Sequence, residues 1–116
     1  MSGIQVTLEF EVVPSVPAIL IPFREEFRDL LLTGGKTATS RNTGYGAPGT
    51  VFEAFGARFV ITAIRRLTLR EVAEKHFAEE GLESAEEFVD VWQKVYPFRG
   101  FDPDHRVWYH EFRRVA

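Results

Sequence analysis

The 116-residue chain contains no cysteine. Disulfides and thiolate metal sites are thereby excluded, and a reducing compartment fits. Long apolar runs are also missing. The longest apolar-biased stretch, Val12 to Phe23, is interrupted by Pro14, Pro17 and Pro22, and a membrane-spanning helix needs roughly 18 unbroken apolar residues. No basic segment followed by an apolar one marks a signal peptide, so the cytoplasm is the expected compartment and no membrane partner is expected. Positive charge is not in excess either: the net charge is −3 and the pI about 5.6. Proteins that coat nucleic-acid phosphates are usually basic, which argues against extensive duplex binding. The three histidines show no His-x-x-x-His spacing, and Asp102-Pro103-Asp104-His105 reads first as a turn and cap. Neither a bound metal nor a cofactor is expected.

What the chain does contain is apolar and aromatic mass. Apolar residues make up 45%, aromatics 14%, and there are eleven phenylalanines, enough for one core in a chain of single-domain length. Charge is unevenly spread. Carboxylates crowd the span from Glu71 to Asp90, where Lys75 is the lone cation, while arginines such as Arg24, Arg41, Arg65, Arg66 and Arg106 lie elsewhere. A local basic groove on an acidic body is compatible with this pattern.

Periodicity divides the chain into alternating strands and helices. Val6, Leu8, Phe10 and Val12 alternate with polar residues, as in a strand with one buried face. The proline-rich stretch that follows can serve only as a connector or an edge. Residues 1–22 therefore read as an extra N-terminal strand and connector. Phe23, Phe27, Leu30 and Leu31 form a helical stripe closed by a glycine cap at Gly34-Gly35. Thr37 to Arg41 suits a short strand, and residues 42–50 a loop. Val51–Ala54 and Ala57–Leu67 form a hairpin around Phe55-Gly56. Thr68-Leu69-Arg70-Glu71 and Ser84-Ala85-Glu86-Glu87 read as two capping boxes opening two helices; His76 falls on the first helix's apolar stripe, at the edge of a core. A final strand runs from Val107 to Val115, with Trp108, His110 and Phe112 on one face. Trp92 and Trp108 read as core. The order predicts a single α+β domain over 1–116, a small mixed barrel carrying helices.

The segment Gly34-Gly35-Lys36-Thr37-Ala38-Thr39-Ser40-Arg41 concentrates one amine, three hydroxyls and one guanidinium. A threonine hydroxyl becomes a nucleophile when a base takes its proton, and Lys36 can be that base if burial or nearby cations lower its pKa. Ser40, or N–H groups near Gly35, would then serve an oxyanion, and the planar fork of Arg41 suits a phosphate or a base edge. An exposed Trp, or Tyr45, in the same cleft would be a stacking platform for a base. Lys36 and Thr39 are three apart, so a regular strand sends them to opposite faces; they meet only if Lys36 sits on the turn. The bland alternatives are a solvated Lys36, Thr37 and Thr39 as ordinary β-branched strand residues, and Glu80 as one member of a solvated acidic run.

Together with Tyr45-Gly46-Ala47-Pro48-Gly49, the 59–67 strand, Glu79-Glu80-Gly81, Glu87-Phe88, Trp92 and a last strand near Phe112, this segment resembles the ASCH (activating signal cointegrator homology) domain across roughly 23–115. The resemblance implies a PUA-like fold, a small β-barrel with about three helices around a cleft, and a link to RNA or modified nucleosides. One bacterial branch of the family hydrolyses N4-acetylcytidine, and its lysine, threonine and glutamate look like Lys36, Thr39 and Glu80. The chain departs from that branch in having Gly35 in place of a larger residue and a longer glycine-rich loop. A metal-assisted nuclease role is considered for relatives of the fold. Two readings follow from the resemblance. In the leading one a cleft binds RNA or a modified nucleoside through Gly35, Thr37, Ser40, Arg41 and Tyr45. In the other an amidohydrolase uses Thr39 as nucleophile, Lys36 as base and Glu80 as acid. The acidic pI favours a small nucleoside over a long RNA.

Overall fold

The computed structural model of the protein describes residues 17–115. The strand expected at Val6 to Val12 lies outside them. Five strands form one sheet: β1 (Ile19–Leu20), β2 (Ala38–Arg41), β3 (Val51–Ala54), β4 (Ala57–Thr68) and β5 (Arg106–Arg114), in the spatial order β1-β3-β4-β5-β2. A 3₁₀ turn at Glu25–Phe27 runs into α1 (Arg28–Thr33), followed after β4 by α2 (Leu69–Lys75) and α3 (Ala85–Val95). None of the described helices is long and apolar enough to cross a membrane.

Local chemistry accounts for each element. The short β1 pairs in parallel with β3 at the sheet edge, where a segment flanked by Pro17 and Pro22 can be tolerated. The β3–β4 hairpin turns on Phe55 (φ 51°) and Gly56 (φ 78°), the two positive φ values that the tightest hairpins require. α1 stops at Gly34 with φ 86°, an αL cap. The helix is shorter than its apolar stripe: Phe23 precedes the first turn and faces the space beside the sheet. At α2 the capping box is complete, since Thr68 Oγ1 accepts from Glu71 N–H and Glu71 Oε1 accepts from Thr68 N–H at 2.9 Å. The second box is only half made. Ser84 Oγ accepts from Glu87 N–H at 3.1 Å, but Glu87 Oε1 reaches past Ser84 to accept from Glu83 N–H at 2.8 Å.

The long β4 and β5 form the spine, with a bulge between Ile61 and Ala63. Both faces of β5 are covered, which alternation along the strand could not reveal. Phe112 joins Phe52, Phe59 and Ile61 on one face, with Ile21 and Leu31 over them. Val107 and Tyr109 point the other way, against Leu69, Val72, Phe88 and Trp92 of the helices. Trp108, expected in the core, is only partly buried and lies beneath the Arg66 guanidinium, 4.3 Å from its ring.

The sheet stays open among the described residues, unlike the expected closed barrel: β1 and β2 are its two edges and no ladder joins them. A turn meets the start of β2. The N–H groups of Thr37 and Ala38 both donate to the Glu79 carbonyl, at 2.8 and 3.0 Å, so a turn, rather than another strand, occupies that edge. The cleft described below opens beside it.

The aromatic centre of the first cluster predicts the cost of disrupting the fold. Phe52 stacks on Phe59 at 5.1 Å between centroids and meets Phe112 edge-on at 5.2 Å, with no exposed surface. Phe52→Ala should destabilise the protein by about 3–5 kcal/mol, measured by urea unfolding. A loss below about 1 kcal/mol would show that this trio is not the centre of the core.

Candidate functional site

A cleft of about 320 Å³ lies between the 22–27 segment, β2, the turn at Glu80 and α3, at the lower end of the roughly 300–1,000 Å³ of small-molecule sites. Its walls are apolar and aromatic: Phe23 and Phe27 on one side, Phe88, Trp92 and Tyr96 from α3 on the other. Its polar groups are Lys36, Thr39, Ser40, Arg41 and Glu80, with Arg24 also lining it.

The local fold explains how these polar groups converge. Lys36 precedes β2 and sits on the turn after α1, its N–H donating to the Leu30 carbonyl at 3.0 Å. That placement removes the strand-alternation obstacle, and Lys36 and Thr39 line the same cleft. Glu80 follows α2 in a turn that ends at Gly81 with φ 91°, and its N–H donates to the His76 carbonyl at 3.2 Å. A Cβ at Gly81 would stand 3.1 Å from Lys36 Cβ and 3.2 Å from Leu30 Cδ1, so both its positive φ and the close approach call for glycine.

Lys36, Glu80 and Ser40 form one buried network. Lys36 Nζ donates to the Glu80 carbonyl at 2.9 Å and to Glu80 Oε1 at 3.1 Å, and Ser40 Oγ donates to Glu80 Oε2 at 2.6 Å. The Lys36 and Glu80 side chains are only 4% and 6% exposed. Lys36 Nζ also lies 4.8 Å from the centroid of the Phe27 ring. Burial, above all, pushes the Lys36 pKa down; Glu80 pulls it back up, by charge and by hydrogen bond, and Arg41 adds a smaller lowering. Thr39 belongs to a second pair: its Oγ1 accepts from Arg41 Nε at 2.9 Å, which leaves the hydroxyl proton for a base or for an occupant of the cleft. The Arg41 guanidinium lies 4.6 Å from the Phe23 centroid and 5.8 Å from that of Tyr45.

The other expected site residues lie elsewhere. Thr37 is exposed, and its main chain holds β2 in place: its N–H donates to Glu79 and its carbonyl accepts from Phe112 N–H. Gly35 packs against Leu30, where a Cβ would come within 2.9 Å of Cδ2. Tyr45 stands behind Arg41, packed against the first core cluster, and is not part of the cleft lining. Asp102 and Asp104 form the expected turn, in which Asp104 N–H donates to Asp102 Oδ1 at 3.0 Å. Sequence reasoning missed Phe23, Phe27 and Tyr96 as lining residues, and placed Trp92 in the core unless exposed, whereas Trp92 is buried and still lines the cleft. Their helical spacing is the same whether a stripe faces a core or a cleft, so it held no signal for the difference.

A buried ion pair yields little net stability, yet removing one partner strands the other charge. Lys36→Met should therefore cost about 3–5 kcal/mol, whereas Lys36→Met combined with Glu80→Leu should recover most of that loss. Urea unfolding of the single variants and the double variant checks this, and simple additivity would show that the two side chains are not coupled.

No protein-family model matches the chain, and no curated protein matches it in sequence. Solved structures do. An ASCH domain from Lactobacillus crispatus JV V101 superposes with a TM-score of 0.63 at 16% identity, covering 90% of this chain and 84% of that one. A protein of the DUF984 family from Enterococcus faecalis V583 gives 0.65 at 19% identity, over 86% and 80%. A point mutant of an ASCH protein from Zymomonas mobilis gives 0.58 at 13% identity, over 84% and 73%. The open five-stranded sheet with its three helices is thus an ASCH-like fold.

Proposed function

We propose that the cleft binds a single planar heterocycle of nucleobase size, carried by a modified nucleoside or an RNA end. The observation that carries this reading is the buried Lys36–Glu80–Ser40 network, with Thr39 and Arg41 beside it, in a cleft walled by Phe23, Phe27, Trp92 and Tyr96. Aromatic walls stack an unpaired base, and polar groups on the floor read its edge. Glu80 has carboxylate lone pairs left to accept from an exocyclic amino group, and the Thr39 hydroxyl can donate to a ring or carbonyl acceptor. The acidic chain favours a nucleoside over a long phosphate backbone. Titration followed by tryptophan fluorescence, using cytidine, N4-acetylcytidine and a short RNA, tests this. Saturable nucleoside binding with little salt dependence is expected, weakened about tenfold or more by Tyr96→Ala through lost stacking. If neither nucleoside nor RNA binds, the reading is wrong.

A second reading, hydrolysis of an N4-acyl bond, is favoured by one specific feature: Lys36 is buried with its pKa lowered, in the same cleft as the Thr39 hydroxyl. Lys36 would exchange its bond to Glu80 Oε1 for the Thr39 hydroxyl and take its proton as Thr39 Oγ1 attacks the acyl carbon. The proton would pass to Glu80, which lies 3.1 Å from Lys36 Nζ, and Glu80 would deliver it to N4 as the C–N bond breaks. Water would then cleave the acyl-threonine, releasing acetate. Arg41 Nε, donating to Thr39 Oγ1, would stabilise the developing alkoxide. A neutral amine is required, so kcat/KM should rise with pH as Lys36 loses its proton, at a pH below the ordinary 10.5. Acetate release from N4-acetylcytidine measures this. Thr39→Ala should abolish turnover and Lys36→Met should lower it by about 10²–10⁴. Absence of turnover above the Thr39→Ala background would end the hydrolase reading for this substrate.

A further inference from the structure

The glycine-rich loop around Tyr45 and the fully buried His110 take no direct part in the cleft, yet they are joined to its polar groups. His110 is 0% exposed and pairs with Thr39 across the β2–β5 ladder. Its Nε2 lies 2.9 Å from Tyr45 N, and its Nδ1 3.2 Å from the Thr39 carbonyl oxygen. A main-chain N–H can only donate and a carbonyl can only accept. The ring must therefore accept at Nε2 and carry its proton at Nδ1, as one neutral tautomer. The Tyr45 ring lies 6.0 Å from that of His110 and 5.8 Å from the Arg41 guanidinium, which in turn donates to Thr39 Oγ1. Tyr45, Arg41, Thr39 and His110 thus form a closed circuit of contacts.

We propose that His110 is a positioning residue: its neutral imidazole clamps the Tyr45 loop onto β2 and so holds Arg41 against the Thr39 hydroxyl in the cleft. Only one protonation state can do this. A proton on Nε2 would turn it toward the Tyr45 N–H, donor against donor, and would place a cation near Arg41. The charged and titratable groups around the ring are Arg41 on β2, Tyr45 on the loop and Glu80 on the turn after α2; across the ladder, β4 presents the apolar Ile64. Burial, foremost, and Arg41 lower the His110 pKa from 6.5, while the Thr39 and Trp108 carbonyls and Glu80 oppose that shift. With the folded value below the unfolded one, the unfolded chain takes up the proton first. Stability is therefore lost as pH falls through 6.5 toward the depressed value, and the clamp releases at that lower value. The arrangement makes Arg41 an acid-sensitive element of the cleft and gives Tyr45 a supporting role in place of substrate contact.

The test uses the free protein, so it stands apart from whether a nucleoside binds; only its last arm rests on the proposed function. Imidazole ¹⁵N shifts report the His110 tautomer and its protonation. The Tyr45 amide protection factor and the Arg41 Hε resonance report the clamp. In wild type, Tyr45 protection should fall about tenfold, and the Arg41 Hε signal should shift toward its free value, together with His110 protonation and before global unfolding. His110→Gln supplies an uncharged donor and acceptor and should keep the clamp at both pH 7.5 and the acid pH. His110→Phe, which fills the space without polar atoms, should lose it at both. In the nucleoside arm, acid should weaken binding in wild type but not in His110→Gln. An Nε2-protonated ring at neutral pH, a ring that stays neutral until the protein unfolds, or unchanged Tyr45 and Arg41 signals when it protonates would each overturn the proposal. If His110→Phe fails to fold, the comparison of wild type with His110→Gln decides alone.

Discussion

The site depends on a lysine and a glutamate that have both left water. Separating an ion pair from solvent costs several kcal/mol per charge before attraction and hydrogen bonds return part of it, so the surroundings must fix both partners accurately. Here the fixing is done by the main chain. The turn after α1 sets Lys36, the turn after α2 sets Glu80, and the N–H groups of Thr37 and Ala38, both on the Glu79 carbonyl, tie those turns together. Gly81 allows the close approach. Ser40 completes the second carboxylate oxygen, and every described buried side-chain N and O atom has a partner. A packed apolar pair would serve stability as well or better. The polar network is therefore best understood through what it presents to the cleft, where perturbed titrating groups commonly gather.

Much of this arrangement is legible in the sequence because it follows from short-range rules. Gly34 ending a helix, Phe55-Gly56 turning a hairpin and Thr68 with Glu71 capping a helix are local events, and local chemistry decides them. Lys36 before the strand could be foreseen from the two glycines. Long-range events were not legible. Composition and spacing in Glu79-Glu80-Gly81 do not say that an acidic run folds inward to meet a lysine 44 residues away, since acidic runs mostly remain solvated; only the family resemblance groups Glu80 with Lys36. Nothing in the spacing of Trp92 and Tyr96 separates a cleft wall from a core. Trp108 erred in the opposite direction, since an arginine lying over its ring takes the place of apolar cover. Strand count and order predict a barrel because they do not reveal that a turn will meet the start of β2.

The walls and the floor of the cleft have separate tasks. Phe23 is held by stacking on Phe52 at 6.1 Å and by an edge contact with Phe112 at 6.3 Å, so one wall is a direct extension of the core. Trp92 is held by Phe88 and by Tyr96, the latter at 4.5 Å, so the other wall is part of the second cluster. Walls rooted in two cores lose little freedom when something slides between them, which is the condition for binding a flat ring without a large ordering cost.

Charge balance sharpens what a ring bound as proposed would have to carry. The cleft lining holds three basic side chains, Arg24, Lys36 and Arg41, and one carboxylate, Glu80; Arg24 is balanced by Glu26 at 3.2 Å, which leaves Lys36 and Arg41 against Glu80. With both bases charged the site holds an excess positive charge where solvent is scarce, in a protein whose overall charge is −3. Two routes restore the balance. Lys36 can give up its proton, the direction in which burial and Arg41 already press it, or an occupant can bring electron-rich oxygen to the floor. A nucleobase carbonyl supplies such oxygen weakly in the ground state, and an acyl group under attack supplies it strongly in the transition state. In the proposed reading the same imbalance would serve recognition and, if Thr39 reacts, catalysis. The proposed role of Arg41 follows from the same balance: moved away from Thr39, to which its Nε donates at 2.9 Å, the guanidinium would relieve the excess charge by leaving, and the preference proposed for either kind of oxygen would go with it.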